Sequence, residues 1–256
     1  MMKKFPRETL DARAQRLLPF CQIVRPEGQG PFPTVFLFHG CGDPDGPQPA
    51  YAKAAAAKGI ASVVVDSYRP RGISLIEARM LVCSGMRLWG RERAGDLISL
   101  MHWARNQDWV QADRLAAAGW SHGGWTVMDA LALGTEVAEF ADLEGFPADP
   151  LQGLAAAFLV YPWCGLGAQT LRRGWQKPIP AFLMLGEDDT LSGTRYPLKA
   201  ANKIRGAGAS VETHIYPGAT HSFDEETSVN PTFRFNPAQT ADAQARFADW
   251  MARQLL

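Results

Sequence analysis

The chain has 256 residues, 46% hydrophobic and 20% charged, with 26 basic and 26 acidic side chains. That length suits one large α/β domain or two small ones, and zero formal charge leaves no electrostatic footprint for nucleic acid or an anionic membrane. No apolar run approaches the roughly 20 residues that a membrane span needs.

The opening stretch MMKKFPRETLDARAQRLLPF carries Arg7, Glu8, Asp11 and Arg13 where a signal peptide would be apolar. Residues 1–19 therefore read as an N-terminal extension and the setting as cytoplasmic. TVFLF (34–38), bounded by Pro33 and by His39-Gly40, reads as a buried strand. PAYAKAAAAKG (49–59) reads as an alanine-rich helix stopped at Gly59, and IASVVVD (60–66) as a second buried strand. RERAGDLISLMHWARNQ (91–107) sets Leu97, Leu100, Met101 and Ala104 on one helical face. RLAAAG (114–119) is a third strand, with HGGWTVMDALALG (122–134) as the helix after it. EVAEFADLEGFPADP (136–150) has five acids and no base, and reads as a solvated connection or a lid.

Beyond it, LAAAFLVYP (154–162), PAFLMLG (180–186) and SVETHIYPG (210–218) read as strands, with a helix over 195–208 and an amphipathic helix at the end. Buried apolar strands alternating with helices predict an α/β fold with a mostly parallel central sheet and helices on both faces. One sheet can hold all these strands, so residues 1–256 read as a single domain. Ligands in such sheets bind at the carboxyl ends of the strands, so chemistry belongs in the loops that follow them. The four cysteines, Cys21, Cys41, Cys83 and Cys164, are widely spaced without a Cys-x-x-Cys, which indicates neither a zinc ribbon nor a redox motif. In a cytosolic chain free thiols are the default.

GWSHG (119–123) stands between the third strand and its helix, the context of a Gly-x-Ser-x-Gly nucleophile elbow. The competing reading of Ser121 is a helix-capping serine. A serine hydroxyl needs a base. Of the five histidines, His221 in YPGATHSFD follows the last strand, whereas His102 and His214 lie inside elements and His39 and His122 in tight turns. The base in turn needs an orienting carboxylate. LGEDD offers Glu187, Asp188 and Asp189; Asp189 has cleared the strand end, so it is preferred to Asp188. The backbone N–H of His122 and that of Cys41 in FHGCGD, with Gly42 as the alternate, are the expected oxyanion donors. Arg69 and Arg71 follow the second strand and are candidate substrate-binding residues that could grip a carboxylate, while a structural role, a salt bridge to Asp66 or a bond to a loop carbonyl, is the favoured reading. Trp120 and Trp163 are placed in the pocket wall, with Trp125 and Phe233 weighed beside them.

FLFHGCGD, VVVDSYRPRG, AAAGWSHGGW, LGEDD and YPGATHSFD, in this order, make the chain resemble the dienelactone hydrolase family of α/β hydrolases over about residues 20–255. The resemblance implies a compact enzyme that hydrolyses esters or lactones without a cofactor, and no metal. It maps the nucleophile to Ser121, the acid to Asp189 and the base to His221. Dienelactone hydrolases proper carry cysteine at the nucleophile position and a glutamate in the first loop. This chain has Ser121, and its first loop offers Cys41, Asp43 and Asp45 instead. The expected function is thus a serine hydrolase of small esters, lactones or thioesters. A prolyl-oligopeptidase-like peptidase and a non-catalytic ligand-binding hydrolase fold are the alternatives. The expected partner is a small-molecule substrate, with oligomeric state left open.

Overall fold

A computed structural model describes residues 7–42, 44–228 and 230–256. Asp43 and the first six residues of the expected N-terminal extension lie outside the described residues. In chain order the elements are β1 Glu8–Thr9, α1 Leu10–Leu17, β2 Gln22–Val24, β3 Phe32–Phe38, α2 Gln48–Ala56 and β4 Ala61–Val65. Then come α3 Leu75–Glu77, which runs on as a π-helical turn over Ala78–Val82, α4 Gly90–Ala104, β5 Val110–Trp120, α5 His122–Leu133 and α6 Val137–Phe140. The remainder is β6 Leu143–Glu144, β7 Leu154–Val160, α7 Thr170–Arg173, β8 Ala181–Gly186, α8 Arg195–Gly206, β9 Val211–Tyr216 and α9 Pro237–Leu255.

The described strands form a seven-stranded sheet of order β2-β4-β3-β5-β7-β8-β9 and a two-stranded ribbon, β1-β6. Every pairing in the large sheet is parallel except the edge pair β2-β4. The inner strands are apolar runs because both faces are covered. On β3, Phe36 and Phe38 enter the core shared with α1, α4, α5 and α8, while Val35 and Leu37 enter the one shared with α2 and α9. The chain leaves β3 for β4 on one side and returns to β5 on the other. The carboxyl ends of β3 and β5 therefore flank the switch point where such sheets hold ligands.

Two segments differ from expectation. The extension is folded: α1 is capped by Thr9, whose Oγ1 accepts the Ala12 N–H, and it packs against α4. Buried Arg13 donates to the Asp96 carboxylate at 3.1 Å and to the Ala141 carbonyl at 2.8 Å, and also pairs with Glu8. The acidic stretch 136–150 is neither a lid nor a plain solvated link. Val137, Ala141 and Leu143 are buried beside α4, and β6 is tied to β1, because an apolar residue recurs between the acids.

Candidate active site

Ser121 sits between the last residue of β5 and the first of α5 with φ 51° and ψ −110°, a conformation that non-glycine residues rarely adopt. Its N–H donates to the Val160 carbonyl at 2.9 Å, and its carbonyl accepts the N–H groups of Trp163 and Trp125 at 3.0 and 3.1 Å. These bonds hold the strained turn in place. The flanking glycines answer to close approach. A Cβ on Gly119 would run into the Gly123 carbonyl, and one on Gly123 into the Phe38 carbonyl. Strand and helix cross with no room for a side chain.

The hydroxyl meets two partners in series. Ser121 Oγ lies 2.9 Å from His221 Nε2, and His221 Nδ1 lies 2.8 Å from Asp189 Oδ2. An ionised carboxylate only accepts, so Nδ1 carries the hydrogen and Nε2 is left to accept from the serine. Asp189 Oδ1 accepts the N–H groups of Leu191 and Ser192 at 2.8 and 2.9 Å. Burial alone would raise its pKa. The bond to His221 and the two amides outweigh burial and hold the carboxyl below its ordinary range. Asp188 instead faces outward and pairs with Arg234 at 3.3 Å. The His221 ring is seated between Tyr161 and Phe233, with centroids 4.5 and 5.1 Å away.

Gly40, Cys41 and Gly42, beyond the end of β3, line the same cavity as Ser121 and His221. A Cβ on Gly40 would touch the Ser121 side chain at 3.5 Å, so this loop lies against the serine. The side chains of His39 and His122 turn inward. His39 Nδ1–H donates to the Gly40 carbonyl at 2.6 Å, and its Nε2 accepts the Ser67 N–H at 3.3 Å. His122 Nε2–H donates to the Leu88 carbonyl at 2.8 Å. Burial and the nearby Arg93 charge push the His122 pKa down to about 3 and that of His39 well below the usual histidine value, so both stay neutral. Neither is available as a base for Ser121.

Beneath the cavity floor, Asp224 is fully buried and accepts from three neutral donors. These are Tyr161 Oη–H at 2.6 Å, Tyr51 Oη–H at 2.7 Å and Trp120 Nε1–H at 2.9 Å. Burial raises its pKa, offset in part by those donors. One carboxylate thus joins the residue before Ser121, the residue that follows β7 and the His221 loop. The side chains of Trp120 and Tyr161 are therefore fixed where they line the cavity.

The cavity holds about 600 Å³ and, besides the residues above, is lined by Arg79, Cys83 and Phe233. The candidate substrate contacts at Arg69 and Arg71 give way to their structural alternative, and the placing of Trp163 needs correction. Arg71 does not face the cavity: the guanidinium is buried and grips Asp96 in a fork, Nη1 to Oδ2 at 2.8 Å and Nη2 to Oδ1 at 2.7 Å. Asp96 lies on α4, and no spacing rule in the sequence links it to the loop after β4. Arg69 pairs with Asp66 at 3.2 Å and with Asp45 at 2.6 Å, and it too lies off the cavity wall. Trp163 is not in the wall; its Nε1–H turns back to the Leu166 carbonyl at 3.4 Å. Among the described residues the cation on the wall is Arg79, from the π-helical turn, which sequence reading missed because that stretch has no clear periodicity.

The thiols also differ from the free-thiol expectation: Cys41 and Cys83 form a disulfide, with Cα atoms 5.3 Å apart. The bond staples the first loop to the wall segment across 42 positions of sequence, a proximity that only the fold creates. Cys21 and Cys164 are free, and burial pushes the Cys21 thiol up to about 12. Among the described residues no helix is long and apolar enough to cross a membrane, and no cluster of three or more His, Cys, Asp or Glu could hold a metal ion.

The family model described as "Dienelactone hydrolase family" matches residues 23–255. No curated protein sequence matches the chain. Among solved structures, a thermophilic esterase of Thermogutta terrifontis with propionate bound superposes with TM-score 0.64 at 17% identity, covering 90% of this chain and 87% of that one. The same esterase phosphorylated by paraoxon gives TM-score 0.62 at 16% identity, over 90% and 86% of the two chains. A dienelactone hydrolase-like promiscuous phosphotriesterase from metagenomic libraries gives TM-score 0.68 at 16% identity, over 92% of each chain. At such identities these likenesses speak for the fold.

Proposed function

The chain belongs to the dienelactone hydrolase family and is a carboxylic ester hydrolase, and from that premise we propose that it works through a covalent acyl-serine on Ser121. The observation that carries this reading is the unbroken hydrogen-bonded series Ser121–His221–Asp189 on a strained strand-to-helix turn. In the first half-reaction Ser121 Oγ attacks the ester carbonyl carbon while His221 Nε2 takes the hydroxyl proton. The carbonyl π pair moves onto oxygen, where the N–H groups of Cys41 and His122 receive the charge. As the tetrahedral intermediate collapses, the C–O bond to the alcohol breaks and His221 returns its proton to the leaving oxygen. Water then repeats the sequence on the acyl-serine and frees the acid. Asp189 stays ionised throughout, holds the histidine tautomer and stabilises the imidazolium.

The substrates are small esters, lactones or thioesters, in keeping with a cavity of about 600 Å³ lined by Trp120, Tyr161 and Phe233 as well as polar groups. No cofactor takes part in this scheme. His122 and His39, being neutral and engaged, cannot replace His221. The reading is tested by steady-state and stopped-flow kinetics on p-nitrophenyl esters of graded acyl length, beside lactones and peptide amides. Ester turnover with a p-nitrophenolate burst, lost in Ser121→Ala, is expected. Preferred cleavage of the amides would favour a peptidase, and binding without turnover a non-catalytic fold.

A further inference from the structure

Arg93, on α4, is the most deeply buried cation of the described residues whose role the scheme above leaves open, at 0% exposure. Its Nε–H donates to Ser67 Oγ at 2.8 Å. Nη1 donates to the His39 carbonyl at 2.8 Å and approaches His122 Nδ1 at 3.3 Å. Among the described residues no carboxylate lies within ion-pair distance of it, and Nη2 has no hydrogen-bond partner. A buried guanidinium with no directly paired carboxylate is costly, even with Asp66 and Asp96 acting on it from further off, and ordinary core packing does not require one.

Its contacts are specific in what they join. His39 stands two residues before Cys41, and His122 directly follows Ser121. The two residues assigned above as oxyanion donors lie on separate segments, the loop after β3 and the start of α5. A single nitrogen, Nη1, holds both, by a carbonyl on one segment and a ring nitrogen on the other, while Nε anchors the group on Ser67. The His39 carbonyl also packs on Gly123, so the two segments are already in close approach there. We propose that Arg93 is a positioning residue of the oxyanion hole: it fixes the spacing of the Cys41 and His122 amides. The proposal rests on the acyl-serine reading. It is separable from that reading because Arg93 has no place in the proton path between Ser121, His221 and Asp189.

Lysine in place of Arg93 keeps a charge, but its one ammonium cannot sit where Nη1 meets the His39 carbonyl and His122 Nδ1 and also keep the Nε bond to Ser67 that orients the group. The test compares wild type, Arg93→Lys and Ser67→Ala, which removes the acceptor of Nε together with a hydroxyl donor to Asp96. For each, thermal unfolding, kcat and KM on one p-nitrophenyl ester, and Ki for two inhibitors are measured. One inhibitor is an aryl trifluoromethyl ketone, which adds to the serine as a hemiketal oxyanion. The other is the matching secondary alcohol, which cannot. Arg93→Lys is expected to lose roughly 10- to 100-fold in kcat, below the 100- to 1000-fold of losing an oxyanion donor outright. Affinity for the ketone should fall by the same factor, with KM and alcohol affinity within about threefold of wild type. Ser67→Ala should move the same two quantities in the same direction, less far. Wild-type kcat and ketone affinity in whichever variant folds, or equal losses for ketone and alcohol, would overturn the proposal. A wild-type enzyme indifferent to the ketone would instead overturn the acyl-serine reading beneath it.

Discussion

Replacing Asp189 by Asn removes one charge and almost no volume, and the surrounding bonds dictate how the new amide must sit. Oδ1 already accepts two backbone N–H groups, from Leu191 and Ser192, at 2.8 and 2.9 Å. The amide oxygen has to keep that place, since an NH2 there would face two donors. The NH2 therefore lands where Oδ2 now meets His221 Nδ1 at 2.8 Å. Two donors cannot bond each other, so His221 must shift its hydrogen to Nε2. That leaves Nε2, 2.9 Å from Ser121 Oγ, unable to take the serine proton. Loss of the correct tautomer in such a triad costs about 10⁴ in kcat, or roughly 5.5 kcal/mol of barrier. Asp188→Asn is the control. It breaks only an exposed pair with Arg234 at 3.3 Å, worth about 0–1 kcal/mol to stability and nothing to the tautomer. The assay is kcat on a p-nitrophenyl ester at about pH 8, with unfolding curves for both variants; Asp189 has a lowered pKa and is ionised there. If Asp189→Asn stays folded and within about tenfold of wild type, or if Asp188→Asn loses as much, the orienting role assigned to Asp189 is wrong.

Other consequences follow from the buried charges and the disulfide. Arg71→Lys should lower the unfolding temperature yet leave the rate ratio of an acidic to a neutral ester unchanged, because Arg71 is spent on Asp96; a shifted ratio would restore it to the substrate. Among the described residues, Asp96→Asn strips Arg71 of its carboxylate and leaves Arg13 with Glu8 alone, and should cost about 3–5 kcal/mol in urea unfolding. Burial alone would raise the Asp96 pKa, but the two arginines bring it down to about 2, so its contribution is full above the ordinary Asp range and fades as pH falls through about 2. Asp129 is the opposite case: burial pushes its pKa up to about 7, so wild-type stability declines as pH rises from the ordinary Asp range through that value and levels off above it. Asp129→Asn, which can keep an oxygen on the Gln169 N–H, should gain more over wild type at about pH 8.5 than at about pH 5.5, a trend that thermal melts would refute if flat or reversed. Reducing Cys41–Cys83, which closes a loop spanning 42 positions, should cost up to about 4 kcal/mol, read by unfolding with and without a phosphine reductant.

The parts of this molecule that local chemistry dictates are legible in its sequence. Glycines at 119, 123 and 124 around a serine are explicable only by a tight strand-to-helix crossing, and the fold has that crossing. Apolar runs such as ASVVV mark inner strands because both faces are buried. Asp189 and His221 stand out because each follows a strand end, where loops converge above a parallel sheet. What escapes depends on long-range partners. Arg71 carries no mark of Asp96 on α4, 25 residues away, nor Cys41 of Cys83. Asp224 reads as one more loop acid until Tyr51, Trp120 and Tyr161 are brought around it. Helix α1 reads as an extension because its stabilising contact, Arg13 with Asp96, spans 83 residues. Trp163 escapes for a different reason: following a strand fixes where a backbone lies, not which way its ring turns.

The account turns on one atom, Ser121 Oγ. Incubation of the folded enzyme with a fluorophosphonate, followed by intact mass and peptide mapping, reads it directly. One equivalent of phosphonyl group on the peptide carrying Ser121 is predicted, with fluoride displaced and ester turnover lost in step. The Ser121→Ala variant and the denatured chain should take up none. Full inactivation with the label on another residue, or a folded, active enzyme that takes no label, would contradict the account.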